Sequence, residues 1–547
     1  MRAVERNQPL HPRTRLVDQA LAILAGVVMT VISMALLVKA AFVIGGPAGH
    51  WTGAIGDPAD SMQYLAWIRE GAFHFLASDR FVVEQTPRDF FSPALLVSSA
   101  LFRLGVPIAW TFALWVPAAL GLLMWAAWRL TAAVIPSTRG RLAAWAGGIL
   151  YAFPATEIVI HTPQIYGRLG TTGRLANALV PSDAWLPGLL WGYPLGVVAV
   201  AILCAGVLLG GRAIRDGLPR PFLLCLVTFG CSLMQPWQGA TLLGTLGLTW
   251  LIWRRRGAVK VSAVQCAWVA VAGVVPLIYY ALLGTLDAAW AWNGEQAKLY
   301  FQFSWLIVLF FIPLVIIALP GWFRRLTDPL DLAVRIWPLM AGLQLAVILL
   351  TGLGNSASHA ARGATIPLAI LAVQGFRNQR SGLARYATGL LVAAMLVAGI
   401  YSTQSLIRSG LGRVKTDPGA GYVMSPSQGR IIDYLRENRE PGAVMAPQTL
   451  SAVIVAHTDR NAWLGHFTWT DDYLSRRSAA GWFYSPSEKS DARRAYLTVL
   501  SKARFVVAPC EPAGLVQPSV LVKQLKTVTA SVKWLGCDAV LTIRQGR

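Results

Sequence analysis

The stretch Gly56-Asp-Pro-Ala-Asp-Ser-Met-Gln-Tyr-Leu-Ala-Trp-Ile-Arg-Glu-Gly71 is an acidic, amphipathic segment in a chain that is otherwise strongly apolar. It belongs to loop 46–106, which separates the first two predicted membrane spans. An ionisable group beside a spanning helix is costly unless it faces water or a polar cavity, so carboxylates at that position are candidates for function. Asp57 and Asp60 are therefore the first candidate catalytic residues.

The composition predicts a membrane protein. Of the 547 residues, 55% are hydrophobic and 14% are charged, and the mean hydropathy is +0.51. This leaves too little polar material to cover a soluble globule of such length. Apolar runs of about 20 residues, the length that crosses a bilayer, lie at 20–45, 107–130, 142–161, 187–210, 261–284, 304–323, 336–353 and 386–406.

Three further apolar runs depart from this length. The run 222–253 is too long for one crossing and contains Gln235-Pro-Trp-Gln-Gly239, so it predicts a hairpin of two short helices that turns at this polar segment. The run 363–376 is short, but its neighbours require it to cross. The run 92–104 is predicted to be a surface or re-entrant element, because a crossing there would break the charge pattern of the loops.

That charge pattern predicts the orientation, since cytoplasmic loops retain Lys and Arg. With the N-terminus inside, the basic loops all fall on one side. We therefore predict a mainly α fold, a polytopic transmembrane helical bundle of about eleven spans with the N-terminus in and the C-terminus out, whose first span is an uncleaved anchor. The net charge of +22 is spread loop by loop without a nucleic-acid motif, so the sequence argues against nucleic-acid binding.

The last part of the chain, 411–547, is polar and alternating, and it predicts a C-terminal extracytoplasmic α/β domain after a transmembrane domain over 1–410. Helices are expected over 427–438 and 487–502, and strands over 443–446, 505–508 and 539–543. Cys510 and Cys537 fall at strand edges of this domain, where an oxidising compartment would favour a disulfide between them. The sequence contains no Cys-x-x-Cys or His-Glu-x-x-His metal motif.

Both candidate carboxylates also have a structural interpretation. An Asp followed by Pro commonly begins a helix, so Asp57 is predicted to cap a helix that Pro58 opens. Asp60 would then lie in the first turn, where the helix dipole favours an acid. The helix mixes apolar and charged positions, which predicts that it lies in the interfacial plane of the membrane. Asp60 would there meet the headgroups, at the depth where a general base could deprotonate an acceptor hydroxyl.

At this point the sequence resembles a known family. The early Asp, the helix Asp60-x-x-x-Tyr64-Leu-Ala-x-Ile68-x-x-Gly71, the many spans and the exported terminal domain resemble the GT-C superfamily of membrane glycosyltransferases, and among them bacterial members of unassigned substrate. Gln235-Pro236-Trp237 and Gly465-His466-Phe-Thr-Trp469-Thr470 are similar to segments expected in those members. The chain lacks the Asp-Glu pair of protein mannosyltransferases and the Trp-Trp-Asp-like signature of oligosaccharyltransferases, which argues against transfer to protein.

The resemblance implies a sugar donor linked to polyprenyl phosphate and a catalytic base at Asp60, with Asp57 as the second candidate. A carrier phosphate needs cations on the outer face. Arg168 and Arg174 lie in a Gly-rich outer loop, and His359 and Arg362 precede the short span. The alternative for the loop arginines is a lipid-headgroup anchor. His466, among aromatic and acidic residues, is a candidate sugar contact or a structural histidine.

The principal hypothesis is an inverting glycosyltransferase of the bacterial inner membrane that transfers a sugar on the outer face to a lipid, glycan or protein acceptor. A transporter or flippase is the first alternative, although the sequence shows no internal repeat and few ionisable residues within the spans. A noncatalytic subunit of an envelope assembly complex is the second. The sequence identifies no cofactor and leaves open whether a divalent ion, Mg²⁺ or Mn²⁺, assists.

Overall fold

The computed structural model describes residues 12–44, 50–54, 56–153, 184–217, 221–257, 259–300, 307–352, 357–378, 382–416 and 421–544. Helices dominate the described part before residue 421. They are α1 (Pro12–Val38, continued by a π-helical turn over Lys39–Ile44), α2 (Pro58–His74), α3 (Pro93–Arg103), α4 (Ile108–Ala113), α5 (Trp115–Val134), α6 (Thr138–Leu150), α7 (Leu186–Gly192), α8 (Pro194–Asp216), α9 (Pro221–Met234), α10 (Pro236–Arg254), α11 (Ala263–Leu286), α12 (Ala288–Tyr300), α13 (Ile307–Trp322), α14 (Pro329–Thr351), a 3₁₀ turn (Ala357–Ala361), α15 (Thr365–Asn378) and α16 (Gly382–Thr416).

Five of the described helical segments are long and apolar enough to cross a membrane: Ile108–Val134, Pro194–Asp216, Ala263–Leu286, Pro329–Thr351 and Thr388–Arg408. Shorter apolar helices include Ile23–Val38, Pro221–Met234 and Ile307–Trp322. The chain is thus a multi-pass membrane protein with a mainly helical fold. The number of eleven spans and the N-in, C-out orientation stay predictions.

The helix pair predicted around Gln235 is present. Helix α9 ends at Met234 and α10 begins at Pro236, so that Gln235 alone joins them. Val227 of α9 and Leu242 of α10 both approach Gly206 of α8, which places the two helices side by side. The neighbouring prediction for 92–104 also agrees with the structure. With 11 residues, α3 is about 16 Å long, too short for a hydrocarbon core of about 30 Å.

The tail segment folds as helices around a small sheet. It contains α17 (Pro426–Glu437), α18 (Gln448–His457), α19 (Tyr473–Phe483), α20 (Asp491–Leu500) and α21 (Pro518–Gln524), with strands β2 (Val423–Met424), β3 (Val444–Met445), β4 (Phe505–Ala508), β5 (Thr529–Leu535) and β6 (Asp538–Ile543). The sheet order is β3-β4-β6-β5, parallel between β3 and β4 and antiparallel elsewhere.

These elements include each helix and strand that the sequence predicts for the tail. Ser425 caps α17 through a reciprocal capping box with Gln428. The structure joins Cys510 and Cys537 in a disulfide across the turn region before β6, with Cα atoms 6.0 Å apart. Helix α16 continues to Thr416, past the predicted boundary at 410. The sequence did not predict β5, because its exposed face carries polar residues without a strict apolar alternation.

The first loop and the tail share one hydrophobic core. Strand β1 (His50–Trp51) pairs antiparallel with β2, so the loop and the tail begin with a common two-stranded ribbon. Leu65 and Ile68 of α2 pack in the same apolar cluster as Val444 of β3 and Phe505 of β4. Helix α2 contacts both α3 and α18. The tail is therefore packed against the first loop of the membrane domain and is not an independent domain on a linker.

This packing corrects the predicted environment of α2. The sequence predicts an amphipathic helix lying in the interfacial plane, but α2 is surrounded by protein on most of its faces. Leu65 and Ile68 are fully buried, and the polar residues Ser61, Gln63 and Glu70 are buried as well. The mixed sequence arises because α2 serves several packing partners at once. Its buried Glu70 accepts hydrogen bonds from the Ser78 hydroxyl and backbone N–H, each at 2.8 Å, and pairs with Arg88 at 2.7 Å.

Close helix contacts within the membrane domain depend on glycine. A Cβ atom on Gly321 of α13 would fall well inside the contact distance of the Leu371 carbonyl oxygen of α15. The backbones of α13 and α15 can approach this closely only because the residue has no side chain. Gly342 of α14, in contrast, faces open space, with no atom within 4 Å of such a Cβ.

We therefore expect Gly321→Ala to destabilise the fold by about 1–3 kcal/mol through overpacking, whereas Gly342→Ala should be neutral or slightly stabilising because alanine has the higher helix propensity. The measurement is thermal unfolding of the two variants and the wild type in the same detergent. Equal midpoints for the two variants would contradict the close contact between α13 and α15.

Candidate active site

The site begins at the N-terminus of α2. The Asp57 side chain accepts a hydrogen bond from the Ala59 N–H at 2.8 Å, and Pro58 occupies the first helical position. Asp60 lies in the first turn. The predicted capping role of Asp57 is thus confirmed. Asp60 does not cap the helix; four residues before Tyr64, it projects from the same face of α2 as that ring.

Asp60 is bonded to the tail. Its Oδ1 atom lies 2.8 Å from Nε2 of His466, and the Asp60 side chain is 39% exposed whereas that of His466 is 2% exposed. The Thr468 N–H donates to Nδ1 of His466 at 3.1 Å, so Nδ1 is an acceptor and a neutral ring carries its proton on Nε2. His466 consequently donates to Asp60. A buried imidazole orients an accessible carboxylate, which leaves the Asp60 carboxylate as the group that can meet a substrate.

Asp57 adds a second carboxyl group at the N-terminus of α2, next to the Asp60–His466 pair; we call this region the Asp60 corner. Its side chain is accessible, but it lies in a recess where surrounding protein displaces bulk water. This desolvation, followed by the negative charge of Asp60, raises the pKa of Asp57, while the Ala59 N–H and the nearby His466 act in the opposite direction. The two acids therefore influence each other. Asp60 is the one that His466 contacts directly.

A polar chain connects this corner with Arg362. The Arg362 guanidinium donates to Oε1 of Gln235 at 3.0 Å, and Nε2 of Gln235 donates to the Tyr193 hydroxyl at 2.8 Å. The Tyr193 ring stacks on Tyr64 with centroids 5.2 Å apart, and the two side chains are hydrogen-bonded. Arg362 also lies over the Tyr193 ring, 5.3 Å from its centroid.

The chain of contacts assembles residues from distant parts of the sequence. Tyr193 precedes α8, Gln235 joins α9 to α10, and Arg362 follows the 3₁₀ turn Ala357–Ala361. The Asp60 charge is close enough to act on the Tyr193 hydroxyl. Asp60 and Arg362 therefore both lie near one tyrosine. Arg362 itself is 3% exposed, so it is a largely desolvated cation.

The other predicted substrate-binding residues have different positions. His359 packs edge-to-face on Trp237 with ring centroids 4.7 Å apart, and its carbonyl oxygen accepts from Nε2 of Gln238 at 2.8 Å. His359 thus packs against the start of α10, next to Gln235 and the polar chain. Arg168 and Arg174 lie outside the described residues.

Aromatic rings support the segment that carries His466. Trp469 contacts Trp67 of α2 with centroids 5.2 Å apart and Trp290 of α12 at 5.0 Å, both edge-on. Phe90 of the first loop contacts Trp67 at 4.4 Å and Trp290 at 5.0 Å. Such ring pairs contribute beyond their buried area, about 0.5–1.5 kcal/mol each. They hold three chain segments together next to the Asp60–His466 bond.

The other tail histidine serves the structure. His457 is buried, and its Nε2 lies 3.1 Å from the Thr52 carbonyl oxygen of the first loop. Burial lowers the pKa of His457 to about 4, so this ring is neutral at physiological pH. Thr52 in turn donates to the Gly421 carbonyl oxygen at 2.7 Å. These hydrogen bonds join the first loop to the tail, so we assign His457 a structural role.

The donor set at this corner bears on metal binding. Within the described ranges, one group of three His, Cys, Asp or Glu residues has ligand atoms within 4.8 Å of one another, namely Cys510, Cys537 and Asp538. Its two sulfur atoms are joined in the disulfide. Asp57 and Asp60 are carboxylates of the kind that Mg²⁺ and Mn²⁺ accept, but within the described ranges neither belongs to such a group of three.

Sequence reasoning missed some residues of the site. Tyr193 sits in Gly192-Tyr-Pro194 at a helix break, and only this break between apolar runs marks it. Thr468 belongs to the segment quoted for the resemblance, and Gln235 to the predicted turn, but neither had a predicted partner. Their roles depend on contacts that local sequence does not reveal, such as Gln235 with Arg362, 127 positions apart, and Thr468 with Asn293, 175 positions apart.

Comparisons with known proteins identify the fold. No family model matches the chain, and no curated protein matches its sequence. Among solved structures, the arabinofuranosyltransferase AftD from Mycobacteria matches 98% of this chain with a TM-score of 0.50 and 12% identity, and this chain spans 42% of that protein.

Two other solved structures also match. ArnT from Cupriavidus metallidurans bound to undecaprenyl phosphate has a TM-score of 0.46 and 12% identity, with 93% of this chain and 97% of that chain covered. The Archaeoglobus fulgidus oligosaccharyltransferase has a TM-score of 0.41 and 13% identity, with 88% and 68% covered. The chain has the fold of the GT-C membrane glycosyltransferases, as its sequence resemblance indicated.

A pair of acids lies beside the aromatic rings. Asp89 of the first loop is hydrogen-bonded through its carboxyl to Asp287, which joins α11 to α12. Desolvation, followed by the negative charge of Asp287, raises the pKa of Asp89 to about 6. The two segments are further linked by the Tyr279 hydroxyl, which donates to the Asp89 carbonyl oxygen at 2.8 Å. The pair therefore shares a proton under mildly acidic conditions.

This raised pKa predicts a pH-dependent stability. Between about pH 6 and pH 4 the folded protein binds a proton at Asp89 that the unfolded chain does not, so Asp89 stabilises the fold as the pH falls through this window and loses that contribution as the pH rises. Asp89→Asn should reduce this pH dependence and raise the midpoint at pH 7, because an amide can bond Asp287 without a second negative charge.

The check is thermal unfolding of wild type and Asp89→Asn at pH 5, 6 and 7, with Asp433→Asn on the exposed face of α17 as the matched control. The control should keep the wild-type slope of midpoint against pH. Identical slopes for Asp89→Asn and wild type would rule out the shared proton.

Proposed function

We propose that this protein is a membrane glycosyltransferase that transfers a sugar from a polyprenyl-phosphate carrier to an acceptor hydroxyl, with Asp60 as the general base. The observation that carries this proposal is the juxtaposition, within a GT-C fold, of an accessible carboxylate held by His466 and a buried guanidinium at Arg362. The fold supports transfer of a sugar in general terms. The choice of donor, acceptor and base is the proposal.

Asp60 has the features that a base requires. Its carboxylate is the accessible partner of the pair, and His466 fixes one of its oxygens at 2.8 Å. The described structure records no hydrogen-bond partner for the second oxygen, so that oxygen can accept the proton of an acceptor hydroxyl. Asp57 caps α2 and shares the recess. We assign it a supporting role in the local charge and helix geometry.

Arg362 suits the departing phosphate. A guanidinium offers a planar fork of N–H donors that matches the oxygens of a phosphate, and the pairing strengthens in a desolvated site. Gln235 and Tyr193 hold this group in place at one end of the polar chain that reaches Tyr64. A donor phosphate bound at Arg362 would direct its sugar along Tyr193 toward Asp60.

The reaction then follows as a single displacement with inversion. The acceptor oxygen attacks the anomeric carbon as its proton passes to Asp60, and the bond between that carbon and the phosphate oxygen breaks. The electron pair of this bond leaves on the carrier phosphate, whose charge Arg362 stabilises. Proximity of both substrates supplies a further part of the rate. No covalent intermediate between sugar and protein is needed.

The proposed surroundings follow from the predicted orientation. We place the site on the outer face of a bacterial inner membrane, with the tail extracytoplasmic, a lipid-linked donor entering from the bilayer and a lipid, glycan or protein as acceptor. A divalent ion, if the enzyme uses one, would be held by Asp57 and Asp60, where it would add positive charge near the transferred sugar. None of the steps above depends on it.

The test is native mass spectrometry of the purified protein with a panel of polyprenyl-phosphate sugars, followed over time for conversion to the free carrier phosphate. We expect wild type to retain and convert one donor. Asp60→Asn should retain that donor with turnover lowered by about 10²-fold or more, the effect of removing a general base. Asp433→Asn, the same exchange at the tail surface, should behave as wild type.

A second pair of variants tests the phosphate contact. Arg362→Lys keeps the charge but loses the fork, so we expect donor retention to weaken by about tenfold, close to the value of a charge-assisted hydrogen bond. Arg430→Lys in the tail is the matched control. Failure of wild type to retain any polyprenyl lipid would overturn the proposal and favour the transporter or subunit alternatives. Full turnover by Asp60→Asn would exclude Asp60 as the base.

A further inference from the structure

A buried chain of hydrogen bonds leads from α12 to the Asp60 carboxylate. Nδ2 of Asn293 donates to Oγ1 of Thr468 at 2.8 Å, and Oγ1 lies 3.1 Å from Nδ1 of His466. Nε2 of His466 lies 2.8 Å from Oδ1 of Asp60. Asn293 is 4% exposed and Thr468 is 6% exposed. Helix α12 thereby reaches the carboxylate through two side chains of the tail, Thr468 and His466.

Each hydrogen bond in this series is donated in the same direction, from Asn293 toward Asp60. Asn293 donates to the Thr468 oxygen, so the Thr468 hydroxyl proton is left to point at Nδ1 of His466. The Thr468 N–H donates to the same nitrogen at 3.1 Å. Two donors at Nδ1 exclude a proton there, and the proton of the neutral ring must be on Nε2. It therefore faces Asp60.

Helix α12 is itself fixed to the segment that carries His466. Nε1 of Trp292 donates to the Trp469 carbonyl oxygen at 3.2 Å, and Nε2 of Gln296 donates to the Thr470 carbonyl oxygen at 2.6 Å. These two bonds flank Asn293 in sequence but bypass the His466 ring. The interface thus contains separable parts, one that only fastens α12 and one that also sets the proton of His466.

We propose that Asn293 and Thr468 are positioning residues, which keep the proton of His466 on Nε2 and so hold the Asp60 carboxylate in a fixed orientation. This rests on the proposed function for its catalytic meaning, but the position of the proton can be measured without any substrate. Asn293 acts through Thr468, and Thr468 through His466. Neither needs to touch the sugar or the phosphate.

The decisive variant is Asn293→Asp, an isosteric exchange that reverses the direction of hydrogen-bond donation between residue 293 and Thr468. A carboxylate at position 293 can only accept, so the Thr468 hydroxyl would turn its proton toward it and present a lone pair to Nδ1. The added negative charge also favours a proton on the ring. The Thr468 N–H still donates to Nδ1 and opposes this change. We therefore expect the fraction of His466 that is protonated at Nδ1 to rise above the wild-type value, either in the other tautomer or in the imidazolium.

The measurement is ¹⁵N NMR of the full-length protein labelled at histidine, in which the His466 signals among seven histidines are assigned by their loss in His466→Gln. Wild type should show an unprotonated Nδ1 and a protonated Nε2, and Asn293→Asp should move the Nδ1 signal toward the protonated range. Thr468→Ser, which keeps the hydroxyl, should match wild type. Gln296→Leu breaks a bond of the same interface and should leave the His466 signals unchanged.

Turnover of the donor provides the second readout. Asn293→Asp and Thr468→Val should lower turnover by about fivefold or more, the effect of one hydrogen bond, with donor retention unchanged, whereas Thr468→Ser should restore it. A proton on Nδ1 in wild type, or unchanged signals in Asn293→Asp, would overturn this inference while leaving the transferase intact. The expected signals in a protein that converts no donor would overturn the proposed function instead.

Discussion

The bond between Asp60 and His466 is the contact on which the proposed site depends. It joins residues separated by 406 positions, and it unites an accessible carboxylate with an imidazole that is almost completely buried. A buried polar group is stable only when its hydrogen bonds are satisfied. Both ring nitrogens of His466 have partners, one in the first loop and one in the tail. The bond can form only when these two parts of the chain are packed together.

The shared core explains how that packing is secured. Helix α2 is buried between α3 and α18, and the ribbon of β1 and β2 closes the junction at its start. The rings of Trp67, Trp290 and Trp469 then fill the space beside the histidine. Residues of the loop, of α12 and of the tail thus stabilise one another. Within the described residues, the site is closely packed around His466 and accessible at Asp57 and Asp60.

The same arrangement brings two separate groups of opposite charge, Asp60 and Arg362, near one tyrosine. The charges of Asp60 and Arg362 both act on the Tyr193 hydroxyl, and Gln235 connects Tyr193 to Arg362 through hydrogen bonds. A group-transfer reaction that accepts a proton at one end and releases a phosphate at the other requires this kind of separation. Asp60 lies on α2 and Arg362 follows the 3₁₀ turn Ala357–Ala361, so the fold rather than local sequence sets their spacing.

The sequence predicted the features that depend on local chemistry. Asp57 followed by Pro58 predicted the start of α2, and the Gln235 segment predicted a break between two helices. The alternating pattern of the tail predicted strands, which form its sheet. The sequence could not predict that His466 donates to Asp60, or that Asp60 and Arg362 both lie near Tyr193, because those contacts depend on packing between distant segments. It predicted an interfacial helix for α2 but not its burial among protein segments, since an amphipathic pattern does not reveal how many partners a helix has.

The measurement that tests the central claim most directly is an electron cryomicroscopy structure of the Asp60→Asn protein with its retained polyprenyl-phosphate sugar. The account predicts the donor phosphate within hydrogen-bonding distance of the Arg362 guanidinium and the anomeric carbon on the side of Tyr193 that faces residue 60. A phosphate bound elsewhere, with the sugar turned away from α2, would contradict it.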